Sequence, residues 1–246
     1  MTKKAPAKKK PRILFWDIEA TNLSAPFGTI LCIGYKWLGE KTVLVPTIMD
    51  FSKGTRLSDK GLVEHFAGVY NSADYTVGHY ASRYDKPMIS SKLVKYGLPP
   101  LRPIPMIDTW WVARRELKMH SNRLQAIAEY LDTKTSKTPI TFDDWLQAAA
   151  GDKEAIKQVV RHCKADVLVL EEVFIKLRPL MKEEPARGLL VDVGGGTCIS
   201  CGSAHLHRRG WKVAKSRRFR QLQCQDCGKW QADGKADKST VGEFKP

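Results

Sequence analysis

The chain has no apolar run approaching the ~18 residues that a membrane span needs, so no membrane association is expected. No apolar stretch follows the charges at its N-terminus, so a secretory leader is not expected either. No internal repeat is visible, which argues against a solenoid. Cysteine is sparse, with six in 246 residues, and nothing points to a disulfide-stapled secreted scaffold. The expectation is an intracellular protein, cytoplasmic or nucleoid-associated. Acidic residues are too few for balance. Asp and Glu total 26 against 41 Lys and Arg, a formal net charge of +15. Such an excess favours a polyanionic partner, most simply nucleic acid. What is present is enough for a core: 43% hydrophobic residues beside 27% charged ones, in a length that suits one medium domain with a small module.

The charge sits at the ends. Residues 1–12 contribute +6, residues 13–187 only +3, and residues 188–246 another +6. A nearly neutral body with basic extensions suggests chemistry in the middle and polyanion capture outside it. Residues 1–12, MTKKAPAKKKPR, have no large apolar residue beyond Met1 and read as a disordered basic tail. A solvated tail, a phosphate-binding arm and a nuclear address at Lys8-Lys9-Lys10 all remain open for it.

The cysteines divide into two kinds. Cys32 and Cys163 stand alone among apolar residues and read as buried thiols. Cys198-x2-Cys201 and Cys224-x2-Cys227 lie 22 residues apart, a spacing that suits one tetrahedral, structural Zn²⁺. Disulfides are the alternative. Gly202 and Gly228 follow the second cysteine of each pair, where a tight turn often needs positive φ. Between the pairs runs HLHRRGWKVAKSRRFRQLQ. Arg208, Arg209, Trp211, Lys212, Lys215, Arg217, Arg218, Phe219 and Arg220 interleave cations with aromatics there. That pattern suits phosphate and base contacts, although a small module must expose most of its charges anyway. The segment resembles the zinc ribbons of DNA-associated proteins.

The body reads as an α/β domain with a mixed sheet flanked by helices. Strands are expected at 13–20, 30–38, 41–46 and 74–79, the middle two paired as a hairpin around Gly39-Glu40. Helices are expected at 59–70, 86–96, 108–117, 121–131, 142–149 and 152–178. The predicted organisation is a tail to residue 12, a domain over 13–184, a linker over 185–196, a ribbon over 197–233 and a tail over 234–246.

Four carboxylates stand out. Asp17 and Glu19 are two apart on a strand and share a face, where a cation between them would relieve their repulsion. Hydration at the strand's end would serve as well. Asp85 opens a helix, which capping alone explains. His162 and Asp166 share a helix face at i,i+4, consistent with a water-positioning pair or a local hydrogen bond. Together WDIEAT, GHYASRYD and RHCKAD resemble the DEDD family of 3′–5′ exonucleases, with a ribonuclease-H-like fold, over about residues 11–180. MIDTWWVARREL, SNRLQAIAEYLD and HCKADVLVLEEVFIKLRP support the resemblance.

The resemblance implies that Asp17, Glu19, Asp85 and Asp166 hold two Mg²⁺ or Mn²⁺ ions for phosphodiester hydrolysis. It assigns Asp17 to both ions, Glu19 and Asp166 to the one on the nucleophile's side, and Asp85 to the other. Tyr80 stands where the family often has Asn, and is expected to touch nucleic acid. His162 lies four residues before Asp166, the spacing of the family's Tyr branch with the residue of its other branch. It is expected to position the attacking water. DNA is favoured over RNA as substrate. A structure-specific or RNA-directed nuclease, and a binding protein without catalysis, are the alternatives.

Overall fold

The computed structural model describes residues 11–52, 57–135, 138–181, 196–214 and 217–236. The predicted tail through residue 10, the linker from 185 through 195, the tail from 237 and Lys215 lie outside them, as does the side chain of Arg217. The chain divides into two units, one around Arg12–Leu177 and the other holding, among the described residues, Pro11 and those from Arg178 on.

The first unit is built on a four-stranded mixed sheet. β1 (Ile13–Ala20) is central, with antiparallel β2 (Ile30–Trp37) on one side and parallel β3 (Tyr75–Gly78) on the other. β4 (Met106–Asp108) extends the sheet parallel to β3. Helices α1 (Ile48–Phe51), α2 (Lys60–Asn71), α3 (Asp85–Lys95), α4 (Thr109–Glu116), α5 (Leu124–Tyr130), α6 (Phe142–Ala149) and α7 (Lys153–Leu177) complete it.

Adjacent β1 residues show that both sheet faces are covered. Phe15 meets Phe174 of α7 edge-on at 5.2 Å, whereas Trp16 packs on Phe66 and Tyr70 of α2 at 5.0 and 5.9 Å. The pleat then sends Asp17 and Glu19 to the α7 side with Phe15. α7 crosses that side with an apolar stripe of Ile156, Val159, Cys163, Val167 and Leu170. It approaches closely because Gly34, opposite Asp17 in β2, has no side chain. A Cβ there would stand 2.7 Å from Cys163 Sγ and 3.0 Å from Val167 Cγ2.

Two expectations need correction. Residues 41–46 form no strand; Leu44 makes an isolated bridge to Tyr35 of β2, and Thr47 just beyond makes another to Cys32. Pro46 lacks the N–H that would carry the ladder on. The segment expected as helix from 108 begins in the sheet, since Asp108 closes β4 and caps α4 from outside. Arg12 belongs to the first unit, its guanidinium 4.0 Å over the Trp37 ring.

In the second unit β5 (Leu206–Ala214), β6 (Arg217–Cys224) and β7 (Trp230–Ala236) form an antiparallel sheet in that order. Gly202 and Gly228 adopt φ of +77° and +72°, the left-handed turns expected after each cysteine pair.

Candidate active site

The acids of β1 and α7 meet. Glu19, His162 and Asp166 each offer a ligand atom within 4.8 Å of the others, and so do Asp17, Glu19 and Cys163. His162 Nε2 lies 3.8 Å from Glu19 Oε1 and 4.0 Å from Asp166 Oδ2. Asp85 joins through the backbone, where Ile18 N–H, between the two β1 acids, donates to its Oδ1 at 3.2 Å. Glu19 thus links Asp17 on one side with His162 and Asp166 on the other, and Asp85 is tied to the backbone of the same strand.

Crowding and burial set the electrostatics. Burial pushes the Asp85 carboxyl up to about 7; N–H groups of Asp85 and Ile18 pull against this, and the Asp108 charge adds to it. Tyr84 is pushed up to about 12 by burial and then by the charges of Asp85, Glu19 and Asp17. Its phenol is thus a donor at neutral pH. Cys163 is held well above the ordinary thiol range, first by its hydrogen bond with Cys32 and then by burial. It remains a thiol facing the Asp17 carbonyl at 3.8 Å.

His162 is oriented from outside α7. Its Nδ1–H donates to the Thr138 carbonyl at 2.7 Å, and Trp145 of α6 stands edge-on 6.0 Å away. In the neutral ring this leaves the Nε2 lone pair facing Glu19 and Asp166.

The sequence reading missed Asp108. Its buried carboxylate accepts from Tyr80 N (2.8 Å), Ser82 N (3.0 Å), Ser82 Oγ (2.6 Å) and Trp110 N (3.1 Å). It thereby fixes the turn that leads into Asp85 and holds Tyr80 at φ 61°, a left-handed conformation rare for a bulky residue. His79 pins the same corner, with Nε2–H donating to the Asn122 carbonyl at 2.9 Å. Beside the acids opens a cavity of about 570 Å³, lined in part by Asp17, Asp166, His79, Tyr80, Trp110 and Arg123. Tyr80 and Trp110 stand with ring centres 5.2 Å apart. The segment MIDTWW contains Asp108 and Trp110, but as the first residue of a helix expected over 108–117 Asp108 carries no signal of its own.

In the second unit Cys198, Cys201, Cys224 and Cys227 place all four sulfurs within 4.8 Å of one another. That is a closed four-thiol set able to hold one ion. Arg208, Arg209, Lys212 and Arg220 are exposed; Arg218 and Phe219 are half-buried.

The fold has solved counterparts. A family B DNA polymerase from the hyperthermophilic archaeon Pyrobaculum calidifontis superposes with a TM-score of 0.58 at 13% identity. The match covers 87% of this chain and 32% of the polymerase, a likeness of fold. No curated protein matches the chain in sequence. Residues 14–178, which carry every acid of the centre, match the family model described as RNase_H superfamily, and it is to the RNase_H superfamily that the chain belongs.

Proposed function

We propose that the protein is a metal-dependent 3′–5′ exonuclease that hydrolyses phosphodiester bonds of DNA, with a zinc-bound C-terminal ribbon aiding nucleic-acid binding. The observation that carries this reading is the meeting of Asp17, Glu19, His162 and Asp166, with Asp85 tied to the same strand. Four buried or half-buried carboxylates repel one another, and hard divalent cations relieve that repulsion with oxygen donors of this kind.

The donor set fits two Mg²⁺ or Mn²⁺. Asp17 would serve both, Glu19 and Asp166 would hold the one on the nucleophile's side, and Asp85 would hold the other. When bound, such ions polarise the phosphodiester, acidify water and stabilise the departing 3′ oxygen. The protein's own groups do the rest. His162 Nε2 takes a proton from the attacking water, held in register by the Thr138 carbonyl. Tyr80 and Trp110 offer aromatic surface to a nucleobase at the mouth of the cavity, with Arg123 beside them. The four thiolates suit one structural Zn²⁺, leaving no position for substrate.

The test uses the zinc-loaded full chain on 5′-labelled oligonucleotides. With Mg²⁺ or Mn²⁺ the products should shorten stepwise from the 3′ end; without either ion cleavage should stop. Asp17→Asn should abolish it. A panel of single-stranded, duplex and branched DNA and of RNA separates the alternative nucleases. Tight, salt-sensitive binding with no metal-dependent cleavage would replace the enzyme by a binding protein.

A further inference from the structure

The basic segment between the cysteine pairs is divided by its sheet. Residues directly opposite one another in an antiparallel pair share a face. Trp211 pairs with Arg220, Val213 with Arg218 and Arg208 with Leu222. A bulge between Arg208 and Trp211, where Gly210 adopts φ +80°, brings Arg208 onto the face of Trp211. Lys212 and Phe219 pair on the opposite face.

One face thus carries three arginines and an indole, with two of the guanidinium groups on the ring. Arg218 and Arg220 lie 4.4 and 4.2 Å from the centre of the Trp211 ring. Trp211 and Val213 remain 37% and 73% exposed, so the face is open to a large ligand within its unit. A guanidinium stacked on an indole loses little rotamer freedom on binding and keeps its N–H edge for phosphate. Its outer plane offers a platform for a base.

We propose that the face of Arg208, Trp211, Arg218 and Arg220 binds an unpaired polynucleotide strand, with bases stacked on the arginine–tryptophan layer and phosphates on the guanidinium edges. Stacking needs unpaired bases, whereas charge alone would accept a duplex equally. This rests on the ribbon's role in the proposed function but not on catalysis.

The experiment measures anisotropy of labelled oligonucleotides with the zinc-loaded Asp17→Asn chain in magnesium-free buffer, so binding is read without cleavage. DNA and RNA single strands and a DNA duplex form the arms. Single strands should bind at least tenfold tighter than duplex. Arg218→Ala/Arg220→Ala should lose tenfold or more and lower the salt slope by about 0.7 for each phosphate contact removed. Arg218→Lys/Arg220→Lys should keep most of the slope yet lose the preference for unpaired strands, because lysine cannot stack. His207→Ala, paired with Gln223 on the other face, should change affinity less than twofold. Equal binding of duplex, an equal loss in His207→Ala, or wild-type preference in the lysine variant would overturn the proposal, as would polyglutamate competing as well as an oligonucleotide. Failed cleavage by the wild type with this pattern intact discards the nuclease reading alone.

Discussion

Asp85 carries a heavy electrostatic cost at the residue scale. Its folded value near 7 lies above the ordinary 3.8, so the folded state favours the neutral carboxyl. The stability it contributes is present below 3.8 and is lost as pH rises toward 7. Asp85→Asn keeps an acceptor for Ile18 N–H and removes the charge. In magnesium-free buffer its melting temperature should exceed wild type by several degrees at pH 8, with the gap closing toward pH 4. A gap independent of pH would show that burial of the charge is not the cause. His162→Ala should lower kcat by about 10²–10⁴-fold with little change in KM, if Nε2 takes the water's proton. Asp108→Ala strands three part-buried N–H donors and should cost about 1–3 kcal/mol in denaturant unfolding.

At the scale of elements, the contact of α7 with β2 sets the centre, because it carries His162 and Asp166 to Asp17 and Glu19. Gly34→Ala puts a methyl 2.7 Å from Cys163 Sγ in a packed interior, which should cost about 1–3 kcal/mol. Cys163→Ala in the same chain removes that sulfur and should recover most of the loss, read as a thermal double-mutant cycle. Strands were legible where both faces are apolar, as in ILFWDIEA and ILCIGYKW. β4 was not, because three residues after Pro105, the last of them the α4 cap, carry no period. The 41–46 segment had strand composition, yet Pro46 leaves it only a single bridge.

For the whole molecule, two units imply two stabilities. With Zn²⁺ on the four thiols, as proposed, stripping it should unfold the cysteine unit, whose small sheet has little core, while the α/β unit keeps its helical signal. Circular dichroism with and without a chelator, and proteolysis confined to residues beyond 196, would check it. Melting of both units together would refute the separation.

The chemistry-bearing groups are set by local order along the chain: the β1 acids at alternate positions, the α7 pair one turn apart, and four cysteines in two pairs. Local spacing expresses these because strand and helix periods fix which neighbours share a face. What distant segments do to one another follows from packing in three dimensions. Asp108 gathers donors from Tyr80 and Ser82, 28 and 26 residues away. A bulge at Gly210 sorts one run of arginines onto a shared face. Such choices depend on strand pairing and close packing, and neither has a signature in the order of residues along one segment.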